Sequence, residues 1–393
     1  MFICSTNDLS RFCAAVLRDN PESVAIDTEF LRSFNDYYPK LCLLQIAYEN
    51  KQCVIDALAE GIDLTPLQEI FDNTQIFKVF HDCRQDLDAL SLLFESLPRP
   101  IFDTQIASML CEYHENSVGY SKLVEQFLGV KLNKMPFKRV DWSKRPLTES
   151  KVRYALDDVI YLYKLYGILR DILTSKGRLS WYMEEMDCIV DSVSDNYTTI
   201  LESMECYGDL TEQEATIARS VVEWRERVAR LLNINRNIIM NARDVLNITK
   251  DFIADGSAST LRKYVRELYL QDLPFSLTEI VENNKHIKQD VYNKASQERD
   301  TLSLLSILLH SVCVEGSVSQ KLVASKRDLV RAISHLPSNI MRGWRYEFFG
   351  HKVKAFIEGR AKLVFSVDIN GGNVQLVVDS QSFACRSSVS NGS

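Results

Sequence analysis

The chain has no C-x-x-C pair, and its ten cysteines are scattered over 393 residues. That spacing argues against a disulfide framework or a structural zinc site and points to a reducing cytosol. Positive charge is not in excess either: 46 Lys and Arg stand against 53 Asp and Glu, a formal net charge of -7. A domain that simply coats nucleic acid would be basic, so any such partner must be met through a local patch. No apolar run approaches the length of a membrane span. The start, "MFICSTNDLSRFCAAVLRD", is too polar for a signal peptide. The expectation is therefore a cytoplasmic protein without a membrane partner. Long low-complexity segments and fixed-period repeats are also missing. What remains is globular composition, 46% hydrophobic and 25% charged, at a length suited to two or three domains.

Up to about residue 175 strands alternate with helices. Ser5 is placed to cap a first helix that carries Leu9, Phe12, Cys13 and Val16 on one face. "ESVAIDTEFL" reads as a strand, and "KLCLLQIAYENKQCVIDA" as two strands joined at a polar turn. "DLTPLQEIFDN" reads as a helix, "QIFKVFHD" as an apolar strand, and "CRQDLDALSLLFES" as a helix with Leu87, Leu90 and Phe94 at helical spacing. "RPIFDTQIASMLCEY", "GYSKLVEQFLG" and "LTESKVRYALDDVIYLYKLYGILRDIL" add further helices. This order predicts a mixed α/β sheet covered by helices on both faces. From about residue 210 the pattern is helical. It includes the long amphipathic "LTEQEATIARSVVEWRERVARLLN", a cap at Ser325 with Asp328 in third position, and a C-terminal hairpin candidate around "NGG". The last residues read as a tail.

One stretch, "SVAIDTEFL", sets two carboxylates into an apolar strand. Alternation puts Asp27 and Glu29 on one face, their Cα atoms about 7 Å apart, and turns Val24, Ile26, Thr28 and Phe30 the other way. Like charges on a buried face are unfavourable, and a divalent cation removes that cost. The alternative is an edge strand whose acidic face is solvated. Downstream, Asp86 lies on the helix that follows an apolar strand. Tyr154 and Asp158 are four apart on one helix, beside a buried stripe formed by Val152, Ala155, Leu156, Val159 and Tyr163. Tyr154 read alone is equally an ordinary half-buried tyrosine.

"IDTEF", "HDCRQDL" and "YALDDVIYL" occur in the order and spacing of the three exonuclease motifs of the DEDD superfamily, and the Tyr-x-x-x-Asp form resembles its DEDDy branch. "DYYPKLCLLQIA", "IFDTQIAS" and "DWSKRPLT" resemble bacterial ribonuclease D over essentially the whole chain. The resemblance implies an RNase H-like mixed-sheet exonuclease domain over 1–175 and a helical linker over 176–209. A helical HRDC domain would follow over 210–290, then a second HRDC-like domain with the hairpin over 291–380 and a tail over 381–393. It implies that Asp27, Glu29, Asp86 and Asp158 hold two Mg²⁺ or Mn²⁺ ions, that Asp86 is selected over Asp82 and Asp88, and that Tyr154 orients or helps deprotonate the attacking water. His81 has no assigned catalytic role and reads as a structural histidine. The implied reaction is two-metal hydrolysis of the terminal phosphodiester at a 3′ end, releasing 5′-mononucleotides from RNA with a single-stranded 3′ tail, tRNA precursors among them. Hard carboxylate oxygens suit those ions.

The segment "KLNKMPFKRVDWSKRPLTESKVR" supplies positive charge beside the Tyr154 helix. Lys131, Lys134, Lys138, Arg139, Lys144 and Arg145, interleaved with Phe137 and Trp142, have the composition of a single-strand binding surface. The alternative is a charged loop with Trp142 as a core anchor. In the HRDC-like stretch Trp224 reads as core. Arg225, Arg227, Arg230, Arg236 and Arg243 are candidates for phosphate contact or members of a solvated helix face. Two other classes share these features: a 3′→5′ exonuclease acting on DNA, and a non-enzymatic RNA-binding scaffold.

Overall fold

The computed structural model describes residues 1–111, 118–132, 140–193, 200–201, 204, 210–255, 261–266, 269–270, 273–284, 298–368 and 371–378. Six strands form one mixed sheet in the order β1-β4-β3-β2-β5-β6. They are β1 (Phe2–Ile3), β2 (Ser23–Leu31), β3 (Lys40–Tyr48), β4 (Lys51–Asp56), β5 (Phe77–Phe80) and β6 (Ile101–Asp103). The run β2-β3-β4 is antiparallel, whereas β1 is parallel to β4 and β5 and β6 are parallel to β2. The polar turn between β3 and β4 takes Glu49 to φ 48°. Mixed α/β organisation is thus as the alternating pattern predicts.

The helices of this part are α1 (Thr6–Asp19), α2 (Leu67–Asp72), α3 (Arg84–Leu90), α4 (Thr104–Cys111), α5 (Tyr120–Leu128) and α6 (Glu149–Ser175). Ser5 caps α1 by accepting from the Asp8 N–H, and Leu9, Phe12, Cys13 and Val16 are its buried face. Phe12 meets Tyr48 of β3 edge-on at 6.0 Å. Tyr166 of α6 meets Phe77 at 5.8 Å and Phe102 at 4.9 Å. In the strand register Phe77 is paired with Ser23 and Phe102 with Val79, which places α6 on the face of the sheet that carries Asp27, and α1 on the opposite face.

Two elements differ from the periodic reading. "RPIFDTQIAS" begins with strand β6, not with a helix, because Ile101, Phe102 and Asp103 pair with Lys78, Val79 and Phe80. Three residues are too few to display alternation, so only the partner strand reveals them. Helix α3 stops at Leu90, yet Phe94 still packs, edge-on to Phe71 at 4.8 Å.

The helical region continues with α7 (Leu179–Val193), α8 (Glu212–Leu232), α9 (Arg236–Ile239), α10 (Ala242–Asp255), α11 (Leu261–Tyr264) and α12 (Leu277–Asn284). Helix α8 opens on a capping box between Thr211 and Glu214. The expected cap at Ser325 is also a capping box, with Asp328. Two strands, Ala361–Asp368 and Gly371–Val378, pair antiparallel. The turn between them and the tail lie outside the described residues.

Contacts divide the chain into two compact parts. One comprises 1–104, 120–168 and 186–293, and so joins the sheet to the first helical module. The other comprises 105–119, 169–185 and 294–393. In the second part Trp181 stacks on Trp344 at 5.0 Å, and Arg345 pairs with Glu185 at 2.6 Å. No helix among the described residues is long and apolar enough to cross a membrane.

Candidate active site

Strand β2 is buried through Val24, Ala25 and Ile26, and emerges at Asp27 and Glu29, which are half-exposed. Its pairing with β3 slips between Glu29 and Phe30: Glu29 faces Leu43 but Phe30 faces Leu41. Such an irregularity re-aims side chains at a strand end. Asp158, on α6, is 8% exposed. Single carboxylate oxygens of Asp27, Glu29 and Asp158 lie within 4.8 Å of one another. A trio of that size, with hard oxygen donors only, fits a divalent cation, which would remove the repulsion of three carboxylates.

Asp158 lies within the buried stripe of α6 and not beside it. That stripe is Ala155, Val159, Leu162, Leu165, Tyr166 and Leu169, while Val152, Leu156 and Tyr163 are only half-buried. The helix is rolled relative to the expectation, which turns Asp158 toward the sheet. Tyr154 is half-buried. Burial raises its phenol well above the usual tyrosine range, and Asp158, Glu29 and Asp27 add to the rise. The Trp142 ring stacks on Tyr154, centroids 6.0 Å apart and planes 28° apart.

Asp86 stands outside the trio. It is buried on α3, and its carboxylate accepts from the Thr28 hydroxyl. Burial pushes its carboxyl up to about 7, against the pull of that hydrogen bond, and Asp103 adds to the rise. Thr28 is thus more than a strand-packing residue: β2 sends Asp27 and Glu29 to one side and ties Asp86 down from the other. Asp103 in turn accepts from the Cys83 N–H at 2.8 Å, at the start of α3. His81 joins Thr104 at 3.0 Å and meets the Tyr120 ring edge-on, in keeping with a structural role. Sequence reading passed over Gln45. It pairs with Asp27 in the register, is fully buried, and neither of its amide atoms has a hydrogen-bond partner among the described residues.

Comparison with known proteins follows the same lines. Residues 2–174 match the family model described as 3′-5′ exonuclease. Ribonuclease D of Gluconacetobacter diazotrophicus is 32% identical over 375 residues, which cover 92% of this chain and 94% of that protein. Ribonuclease D of Zymomonas mobilis is 34% identical over 383 residues, 93% and 95% of the two chains. The chain belongs to the ribonuclease D family. Among solved structures, Escherichia coli RNase D, described as an exoribonuclease involved in structured RNA processing, matches with a TM-score of 0.71 at 25% identity and covers 91% of this chain and 98% of that one. This ribonuclease D homologue is a metal-dependent 3′-5′ exoribonuclease, and the acidic trio lies on the elements that carry the motifs.

The basic residues expected to meet RNA are placed differently. Arg145 makes a two-pronged ion pair with Asp56, through Nε at 2.7 Å and Nη2 at 2.5 Å, and also donates to the Cys42 and Trp142 carbonyls. Its side chain is 27% exposed. It is a strut between the neighbouring ends of β3 and β4, and the residue as a whole is exposed. Trp142, 5% exposed, packs with Cys42, Leu43, Val54 and Ala155. It is the core anchor under Tyr154 and not a stacking platform for bases. Lys144 is exposed, 3.9 Å from Asp141. Lys134, Phe137, Lys138 and Arg139 lie outside the described residues.

In the helical module Trp224 is core, at 1% exposure. Arg225 is equally buried: its guanidinium bonds Glu226 at 2.9 Å and the Met240 carbonyl at 3.3 Å. An arginine enclosed with a buried glutamate has no surface to offer a phosphate, which corrects that expectation. Arg227 pairs with Glu223 at 2.5 Å. Arg230 donates to the Tyr37 hydroxyl at 3.1 Å, and Arg236 pairs with Glu226 at 3.2 Å while lying over the Tyr37 ring. Arg243 is exposed. Periodicity marked these arginines as a helix face, but it carries no sign of the buried glutamate that claims two of them.

Proposed function

We propose that this ribonuclease D homologue trims the 3′ ends of tRNA precursors and other structured RNAs, holding two Mg²⁺ or Mn²⁺ ions at Asp27, Glu29, Asp86 and Asp158. The observation that carries this reading is the acidic trio: carboxylates from positions 27, 29 and 158 meet within 4.8 Å. The fold brings them together although each has a like-charged neighbour, a cost that a bound cation removes. When bound, the ions supply charge neutralisation at the scissile phosphate, a more acidic attacking water and stabilisation of the leaving 3′-oxygen. Asp27 and Glu29 hold their positions through the sheet, and Asp158 through the buried side of α6. Thr28 orients the fourth carboxylate, Asp86, by its hydrogen bond. Tyr154, on the same helix as Asp158, orients the attacking water or helps to deprotonate it. Water attacks the terminal phosphodiester, the bond to the 3′-oxygen of the penultimate nucleotide breaks, and a 5′-mononucleotide leaves. Lys144, with Lys138 and Arg139, belongs to the proposed path of the 3′ tail.

The test is to incubate the purified protein and Mn²⁺ or Mg²⁺ with matched 3′-tailed RNA and DNA, with EDTA controls. Stepwise shortening of the RNA from its 3′ end, abolished by EDTA, is the expected result. Equal or faster shortening of DNA would reassign the substrate, the 2′-hydroxyl being the discriminating group. No metal-dependent cleavage would leave a binding scaffold.

A further inference from the structure

The loop between β2 and β3, residues 32–39, leaves the catalytic strand and is fastened to the first helical module. The Asn235 N–H donates to the Asn35 carbonyl at 2.7 Å, and the Asn235 side-chain amide donates to the Phe34 carbonyl at 3.0 Å. The Tyr38 N–H donates to the Asn233 side chain at 3.0 Å. The Tyr37 hydroxyl donates to Glu226 at 2.9 Å and accepts from Arg230, and the Arg236 guanidinium lies 5.4 Å from the Tyr37 ring centre. Asn235 also caps α9 through the Asn237 N–H. The backbone is thus held at Phe34 and just after it, yet the Phe34 side chain is 81% exposed.

An exposed ring on a tethered backbone is a pre-organised surface: little ordering entropy remains to be lost when a flat partner covers it. Cations lie on the same loop and on the helix beside the strand it leaves. Arg32 is exposed, and its guanidinium lies 5.7 Å from the Phe30 ring centre. Arg84 is exposed at the start of α3. Arg230 and Arg236 both reach Tyr37 of the same loop, one by its hydrogen bond to the hydroxyl and the other over the ring. In an acidic chain, arginines have gathered where the catalytic strand, α3 and the helical module meet. Phe34 follows Glu29 by five residues, so its Cα is at most about 17 Å from that of Glu29. That bound puts Phe34 within reach of the first few nucleotides upstream of a 3′ end seated at the carboxylates.

We propose that Phe34 is a stacking platform for a base of the single-stranded 3′ tail, with Arg32 and Arg84 contacting its phosphates. This deepens the RNA-trimming reading and rests on it. Aromatic rings that stack bases beside cationic groups that track phosphates bind single strands without regard to sequence. The helical module serves this platform by fastening its backbone, through Asn233, Asn235 and Glu226.

Binding is measured by fluorescence anisotropy in the Asp27→Asn background, with a ten-nucleotide oligoadenylate and with the same strand carrying one abasic unit at each of the first five positions from its 3′ end. Phe34→Ala is expected to weaken binding about tenfold, and Phe34→Trp to restore it. On one abasic strand the Phe34→Ala effect should vanish, because the stacked base is already gone. Arg32→Ala and Arg84→Ala should each lower the slope of log affinity against log salt by about 0.7. Phe34 is exposed, so its variants fold. Trimming by the unmodified protein is run alongside. If that protein trims RNA but Phe34→Ala binds every strand as tightly as its parent, the stacking proposal falls alone, and the exposed ring becomes a surface for another macromolecule. If the unmodified protein neither trims nor binds RNA, both readings fall together.

Discussion

Two regions of this molecule gather charge, and they do so in opposite ways. In the helical module Arg225 and Glu226 are enclosed together, 2.9 Å apart, with the Met240 carbonyl taking a further hydrogen bond. The site neutralises itself and is complete as protein. At the sheet, Asp27, Glu29 and Asp158 converge with one sign of charge. Their arrangement is one that a cation from solution would complete. The difference teaches how to read a buried ionisable group: a pair of opposite sign is architecture, whereas a converging group of like sign is a binding site.

Asp27→Asn is the largest perturbation of the acidic side. It is expected to lower exonuclease activity at least about a thousandfold, equivalent to about 4 kcal/mol of barrier. The melting temperature of the metal-free protein should hold or rise, because a like charge has been removed. Mn²⁺ should raise the melting temperature of the unmodified protein and not that of the variant. A metal-free Asp27→Asn protein that melts far lower would contradict the idea that the trio is held against its own repulsion.

Glu226→Gln breaks the opposite region. It leaves Arg225 charged and enclosed, and should cost about 3–5 kcal/mol of stability, read from denaturant unfolding. Loss of stability near zero would mean that the buried pair is not architecture.

Tyr154→Phe keeps the ring, its stacking on Trp142 and the trio, and removes only the donor. A rate about a hundredfold lower with Mn²⁺ affinity unchanged is expected. Calorimetric Mn²⁺ titration beside single-turnover kinetics separates the two quantities, and a parallel loss of metal affinity would place the hydroxyl on the metal side of the site.

Lys78 is an intermediate case, a buried amine whose partners among the described residues are the carbonyls of Asn73 and Arg99. Burial pushes its ammonium down to about 7 from an ordinary 10.5, with Asp72 pulling the other way. The folded protein thus releases this proton near 7, while the unfolded chain keeps it to about 10.5. The unfolded state binds more protons in that window, so Lys78 makes stability rise with pH between them. Lys78→Met should flatten that rise, visible as smaller changes in unfolding midpoint from pH 7 to pH 10. An unaltered pH profile would show that the amine stays charged in the fold.

How far the residues alone reach is clearest at β2. Alternation places Asp27 and Glu29 on one side, and helical spacing places Tyr154 and Asp158 on one helix. The same logic sets the capped starts of α1 and of the helix that follows Ser325, and the apolar strands β3 and β4. These are local properties, set by the geometry of a pleat and a helical turn, and they are written in neighbouring letters. Phe34, Thr28 and Gln45 were invisible to it. Thr28 reaches Asp86 over 58 positions, and Phe34 acquires its fixed backbone from Asn235, two hundred positions away.

Charge shows the same limit in reverse. The run around Arg145 and the arginines of α8 have the composition of a phosphate-binding surface, and their number is a property of the sequence. Whether each one faces solvent or a carboxylate depends on which acidic residues the fold brings against it: Asp56 for Arg145, Glu226 for Arg225. The sequence by itself determined the exonuclease motifs, the mixed α/β class and the helical region after it, because backbone geometry and hydrophobic periodicity act over a few residues. Only the tertiary structure decided which charges are self-neutralised and which converge unneutralised, because Coulomb energy and desolvation depend on distances through space and on burial, and neither is spaced regularly along a chain.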